Sequence, residues 1–93
     1  MSLYIMSYDL HLERDYSRLY ELMDTWNAVR LLESVWLAEL LGPATLIRQL
    51  IRGQLDGDDS IAVIELRAPL QWATRHCEAA GVDWLEDRIP YFT

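Results

Sequence analysis

The segment that most constrains the fold of this chain is residues 2–9, which read Ser-Leu-Tyr-Ile-Met-Ser-Tyr-Asp. Five of the six positions from 3 to 8 are apolar or aromatic, and the run stops at the carboxylate of Asp9. A short apolar run of this kind is typical of a strand that is buried on both faces. We therefore expect a central strand with Asp9 at its carboxyl end, where a loop begins.

Asp9 has two interpretations at this position. A carboxylate at the end of a rigid strand, beside an open loop, is well placed for chemistry. An aspartate in the same place also commonly bonds the backbone of the turn that follows it. The sequence leaves both roles open, and Asp9 is the candidate catalytic residue.

Length and composition limit the class of protein. The 93 residues are enough for one domain, with an expected core at 1–66 and a C-terminal extension at 67–93. Hydrophobic residues make up 52% of the chain, which favours a packed core over disorder. There is no membrane-spanning run and no basic signal segment, and Cys77 is the single cysteine, so we expect a cytoplasmic protein.

The charge of the chain bears on its partners. There are 15 acidic residues against 8 basic ones, all of them arginine, which gives a formal net charge of −7. An acidic protein repels a nucleic-acid backbone at long range, so any RNA or DNA contact must rely on local arginines. Arg14 and Arg30 are candidate phosphate contacts, and salt bridges with carboxylates are the alternative role.

Three helical regions and three further strands are indicated after Asp9. Asp15 is a candidate N-cap for a helix, and the segment 28–41 reads as two strands with a break at residues 33–34. Pro43 suits the first turn of a second helix, residues 60–66 read as a strand, and Pro69 opens a last helical region. The expected buried stripes of the first two helices are Tyr16, Leu19, Tyr20, Met23 and Trp26, and then Leu46, Ile47, Leu50 and Ile51.

This order of elements is the ferredoxin-like βαββαβ pattern followed by a helix. It predicts an α+β sandwich: a four-stranded antiparallel sheet with two helices on one face and a C-terminal helical extension. The other face needs cover from the C-terminal segment or from a second subunit. We expect a homodimer in which the edge strand at 61–66 receives the tail at 89–92 of the other copy.

Short motifs give the chain a resemblance to a known family. One set is Tyr8-Asp9, Arg30 with Glu33-Ser34-Val35-Trp36, and Asp59-Ser60-Ile61. On these motifs, over residues 1–66, the chain resembles the small CRISPR-associated adaptation nucleases (the second CRISPR-associated protein), and it is similar in fold to the virulence-associated protein D ribonucleases. A second set is Tyr8-Asp9, Asp15 to Tyr20 as Asp-Tyr-Ser-x-Leu-Tyr, Ser34 to Leu37 as Ser-x-Trp-Leu, and Trp84-Leu85. On this set the closer likeness is to small bacterial proteins labelled SinR-like.

The resemblance implies a ferredoxin-like homodimer that cleaves RNA or DNA with a divalent metal, or that serves as a structural hub for an integrase. It carries over to Asp9, which matches the aspartate at the end of the first strand in those proteins. The adaptation nucleases usually follow this aspartate with a basic segment, whereas residues 11–15 here are His-Leu-Glu-Arg-Asp.

A metal site is the chemistry that these residues indicate. Asp9, His11 and Glu13 alternate, so in an extended loop their side chains point the same way. If a two-fold axis brings two copies of Asp9 together, Mg²⁺ or Mn²⁺ could bind at Asp9 and Glu13 and activate a water for phosphodiester hydrolysis. The alternative is a solvated acidic loop.

Two functions therefore stay open. One is a metal-dependent nuclease, either an endoribonuclease or a DNase. The other is a catalytically silent acidic module that binds a protein partner, in a toxin–antitoxin or phage-defence setting.

Overall fold

A computed structural model describes residues 1–10, 16–55 and 57–90 of the chain. Its elements in chain order are β1 (Ser2–Asp9), α1 (Ser17–Thr25), β2 (Val29–Leu32), β3 (Val35–Leu40), α2 (Ala44–Arg52), β4 (Ser60–Leu66) and α3 (Ala79–Arg88). The strands form one antiparallel sheet in the order β2-β3-β1-β4, which is the ferredoxin-like arrangement. The predicted α+β fold is confirmed. None of the helices in these ranges is long and apolar enough to cross a membrane.

Strand β1 is central, as the sequence predicts. Met6, for example, lies opposite Trp36 of β3 on one side and Val63 of β4 on the other. Successive side chains of a strand point to opposite faces, so residues 4, 6 and 8 share one face while Ser7 and Asp9 lie on the other. The first set is buried, whereas Ser7 and Asp9 are exposed. Burial on both faces, which the apolar run suggested, therefore fails at the carboxyl end of β1.

Helices α1 and α2 cover the face that carries the even-numbered residues of β1. Their buried side chains join those of the sheet in one cluster: Tyr4, Met6, Tyr8, Tyr16, Leu19, Met23, Ala38, Leu40, Ile47 and Ile51. The predicted stripe is too wide on both helices, since Tyr20 is exposed on α1 and Leu46 and Leu50 are exposed on α2. Each of these helices has only nine residues and buries two positions four apart, which leaves the flanking apolar residues outside. Asp15, the predicted N-cap, lies outside the described residues.

Helix α3 packs on the opposite face of the sheet. With β2 and β3 it encloses a second cluster of buried residues: Leu31, Leu37, Trp84, Leu85 and Ile89. The C-terminal segment thus covers part of the face that was expected to need cover. Ile89 is buried in its own chain, so tail exchange stays a prediction for the residues after it, of which 91–93 lie outside the described residues.

The predicted start of the last helix at Pro69 is wrong, because α3 begins at Ala79. His76 has a φ of 58°, in the left-handed region, and a residue with that conformation breaks a right-handed helix. The segment 67–78 is instead held by individual contacts. The Trp72 indole donates to the carbonyl of Ile89, and the Glu78 amide donates to the carbonyl of Leu31.

Gly81 lets α3 lie directly against β2. It is buried inside the helix, and a Cβ at this position would lie 2.7 Å from the Arg30 carbonyl oxygen and 2.7 Å from the Leu31 Cα. Both contacts are with backbone atoms of a strand, which cannot rotate away as a side chain can. Glycine is therefore required here by the distance between the two backbones, although it disfavours a helix.

Replacing Gly81 by alanine should destabilise the protein. We expect the free energy of unfolding to fall by about 1–3 kcal/mol through overpacking, although alanine is favoured over glycine in a helix by about 1 kcal/mol. Urea unfolding of Gly81→Ala measures the change. Gly53→Ala is the matched control, because φ is −62° there and the nearest atom to an added Cβ is 3.5 Å away. The control should be neutral or more stable by about 0.4–1 kcal/mol. Equal stability of the two variants would contradict the close approach of α3 to β2.

Candidate functional site

Asp9 lies at a corner of the sheet. The pairing of β1 with β3 stops at Ser7 opposite Val35, whereas its pairing with β4 continues to Asp9 opposite Ser60. The exposed carboxylate therefore stands beyond the end of β3 and beside the edge strand. A shallow hollow of about 180 Å³ surrounds this corner, lined by Ser7, Tyr8, Asp9, Ser60, Ile61 and Ala62.

The side chain of Asp9 shares its face of the sheet with an uncovered area, which we call the open face: Ser7, Asp9, Ala62 and Ile64. Residues directly opposite one another in an antiparallel pair lie on the same face, so Ala62 joins Ser7 and Ile64 joins Ile5. Ile64 is 58% exposed, a high value for a large apolar side chain on a sheet. The covered part of this face lies over β2 and β3, where α3 packs.

The predicted site residues are only partly brought together. Glu13 and Arg14, like His11, lie outside the described residues. Arg30 lies opposite Trp36 of β3, in the row of side chains that faces α1, and so on the opposite face of the sheet from Asp9. Within one chain, therefore, Asp9 and Arg30 do not form a common site.

A divalent metal at Asp9 would need further oxygen ligands. Over residues 1–10, 16–55 and 57–90 there is no group of three or more His, Cys, Asp or Glu side chains placed to hold a metal ion. Mg²⁺ keeps several waters and is commonly held by one or two carboxylates, and Mn²⁺ also suits carboxylate and water ligands. Asp9 fits such an ion if Glu13 or a second copy of Asp9 supplies the other oxygen ligand.

Arg30 belongs to an aromatic cluster that sequence analysis missed. Its guanidinium carbon lies 4.5 Å from the centre of the Trp36 ring and 5.3 Å from the centre of the Tyr20 ring. Both distances are typical of cation–π attraction. Among the described residues Arg30 has no carboxylate partner, and its Nε is buried without a hydrogen bond. Within the described residues, the Tyr20 and Trp36 rings are therefore the groups that attract the Arg30 charge.

No local pattern in the sequence could have found this cluster. Arg30, Tyr20 and Trp36 come from β2, α1 and β3, and they meet because the hairpin register places Arg30 opposite Trp36 beneath α1. The two rings are 6.4 Å apart and tilted by 33°. Arg30 and Trp36 can be placed on the same face of the sheet only when the register of β2 against β3 is known.

Tyr8 connects this cluster to the core. The Trp36 indole Nε1 donates to the Tyr8 hydroxyl oxygen over 3.0 Å, which fixes the orientation of the indole ring. Burial raises the pKa of Tyr8 above its ordinary value of 10.0, and the hydrogen bond from Trp36 offsets part of that rise. The phenol therefore stays neutral over the physiological range.

Comparison with known proteins adds no further assignment. No family model matches this chain, and no curated protein matches it. The resemblance to the CRISPR-associated adaptation nucleases remains a prediction that rests on the short motifs at Tyr8-Asp9, at Arg30 with residues 33–36, and at residues 59–61.

The raised pKa of Tyr8 predicts a loss of stability at alkaline pH. The folded protein holds the phenol proton more tightly than the unfolded chain, so this stabilisation is complete below about pH 10 and is lost as the pH rises through the folded pKa. We expect the free energy of unfolding to fall more steeply above about pH 10 in the wild type than in Tyr8→Phe. Urea unfolding between about pH 8 and pH 11 measures both slopes. Parallel profiles for the two proteins would contradict the raised pKa.

Proposed function

We propose that this protein works as a homodimer in which two copies of Asp9 form a site for metal-assisted hydrolysis of phosphodiesters in RNA or DNA. The observation that supports the proposal is the position of Asp9, which is exposed at the corner of the sheet and lies on the open face. A partner that covers the open face would cover Asp9 as well.

A second copy is the expected occupant of the open face. Ile64 offers a large exposed apolar side chain, and the small Ser7 and Ala62 beside it allow close approach. Strand β4 is also an edge strand, with backbone groups on its outer side that no described strand pairs. A chain of 93 residues has little other surface that could cover both Ile64 and the outer edge of β4.

The site requires the two copies to pack face to face. Asp9 lies opposite Ser60, three residues from Val63 at the centre of β4. Antiparallel pairing of two β4 strands about Val63 would separate the two Asp9 carboxylates by about 20 Å along the strands, since each residue spans about 3.3 Å. Packing of one open face on the other, with the two-fold axis near the Asp9 end, places the carboxylates opposite one another.

Each Asp9 has a defined role in this proposal. A bound Mg²⁺ or Mn²⁺ would supply Lewis-acid activation of a water molecule. The rigid end of β1 orients the carboxylate oxygens as ligands, and the paired carboxylates need a cation between them because like charges repel at close range. Arg14 is a candidate contact for the substrate phosphate. Arg30 does not reach the same phosphate within one chain, because it lies on the opposite face of the sheet from Asp9.

The second candidate function is that of a catalytically silent module whose acidic surface binds a protein partner. The observation that favours it is that Asp9 is the one carboxylate among the described residues that line its hollow. The net charge of −7 also opposes approach of a nucleic acid. In this case the open face itself would be the binding surface for the partner protein.

Nuclease activity should depend on Asp9. We expect purified wild-type protein to cleave single-stranded RNA or DNA with Mg²⁺ or Mn²⁺, and Asp9→Asn to lose at least about 100-fold in rate because a neutral amide replaces a charged carboxylate ligand. Asp83→Asn makes the same change at an exposed position of α3 and should keep full activity.

The melting temperature separates a catalytic from a structural Asp9. The Asp9→Asn substitution should leave the melting temperature unchanged or raise it, because a repulsion between the two carboxylates disappears. A clear drop in melting temperature would instead identify Asp9 as a turn or cap residue. If the wild type cleaves neither nucleic acid with either metal, the nuclease proposal is wrong and the silent module stands.

Dimer formation should depend on Ile64. Ile64→Glu places a charge on the open face at its one large apolar side chain, and we expect it to be monomeric where the wild type is dimeric at micromolar concentration. Leu46→Glu is the matched control, because it puts the same charge at an exposed leucine of α2 in the other layer. Analytical ultracentrifugation measures the state of each protein. A monomeric wild type would remove the shared Asp9 site.

A further inference from the structure

A second hollow lies between α1 and β3, on the opposite face of the sheet from Asp9. Its volume is about 390 Å³, and it is lined by Ser17, Tyr20, Glu21, Asp24, Ala28 and Trp36. Two aromatic rings and two carboxylates therefore border one open space. This combination of groups is suited to a positively charged organic group, because ring faces and carboxylates both attract cations.

One of the two aromatic rings of the hollow is oriented by a hydrogen bond, and the other is exposed. Tyr20 is 41% exposed, so much of its ring is in contact with solvent. Trp36 is half-buried, and its indole N–H is engaged by the Tyr8 hydroxyl over 3.0 Å. A guest would therefore meet an indole ring that is already oriented, which reduces the entropy lost on binding.

Arg30 shows which chemical group these rings accept. Its guanidinium lies within 5.3 Å of both ring centres, yet Arg30 does not line the hollow. Tyr20 and Trp36 line the hollow whereas Arg30 does not, so a second cation that enters the hollow would meet the same two rings.

The charges around the hollow also favour a cation. Glu21 and Asp24 are exposed, lie three residues apart on α1, and form no ion pair within residues 1–10, 16–55 and 57–90. Neither Arg18 of α1 nor Arg30 lines the hollow, so Glu21 and Asp24 are the charged groups among the described residues at its rim. The net charge of −7 on the whole chain would attract a cationic guest from a distance.

We propose that this hollow binds an arginine side chain from a basic peptide segment of a partner protein. Arginine is preferred over lysine, because its guanidinium is planar, weakly hydrated and able to stack on aromatic rings. A nucleic acid is disfavoured at this site, because Glu21 and Asp24 repel phosphates. The proposal is independent of Asp9, of any metal and of the assembly through the open face.

A peptide series tests the chemistry of the guest. The probes are three capped Gly-Ser peptides that carry three arginines, three lysines or three citrullines, citrulline being the neutral isostere of arginine. Binding is followed by the NMR shift of the Trp36 indole N–H and by calorimetry at low salt. We expect the arginine peptide to bind, the lysine peptide to bind about threefold to tenfold more weakly, and the citrulline peptide to lose binding. Equal binding of the arginine and citrulline peptides, or an unmoved Trp36 signal, overturns the proposal.

Variants of the hollow separate a specific site from general charge attraction. The double variant Glu21→Gln with Asp24→Asn should weaken the arginine peptide by about tenfold. The double variant Asp83→Asn with Glu86→Gln removes the same charge from exposed positions of α3 and should weaken it by less than about twofold.

The aromatic contribution is tested at Tyr20. Tyr20→Leu keeps an apolar side chain of moderate size but removes the ring, and it should weaken the arginine peptide by about threefold to tenfold. Equal losses in the two charge variants, or no loss in Tyr20→Leu, overturn the proposal. No metal or nucleic acid is present, so these results do not depend on the nuclease assay.

Discussion

The pairing of β1 with a strand on each side is the constraint on which the rest of the structure depends. Once β3 and β4 fix β1 from both sides, its side chains must alternate between two faces. Tyr4, Met6 and Tyr8 then enter the core beneath α1 and α2, and Asp9 necessarily points to the other face. The position of the candidate catalytic carboxylate is therefore a consequence of the same register that builds the core.

Helix α3 decides how much of the second face remains uncovered. The missing side chain at Gly81 allows the helix to contact the backbone of β2, so α3 packs over β2 and β3 and does not cover β4. Ile64 and Asp9 lie on the part of this face that α3 leaves exposed. A helix placed closer to β4 would bury Ile64 within one chain and remove the reason for a second copy at this surface.

The two proposed binding surfaces lie on opposite faces of one sheet. The open face joins exposed apolar and small side chains to one carboxylate, which suits a second copy and, between two copies, a divalent ion. The aromatic hollow joins Tyr20 and Trp36 to two carboxylates, which suits a guanidinium. Because the sheet separates them, a partner protein at the hollow would leave Asp9 accessible. The acidic character of the chain favours a cationic guest at the hollow and opposes the approach of a nucleic acid to Asp9.

The sequence by itself determined the order of the elements, the central position of β1, the break between β2 and β3, and the location of Asp9 at a strand end. These depend on local periodicity and on turn residues, which each segment carries within itself. Tertiary structure alone decided the late start of α3, the exposure of Leu46 and Leu50, and the environment of Arg30. Those features depend on which residues of distant segments lie opposite one another, and periodicity within a segment holds no information about that register.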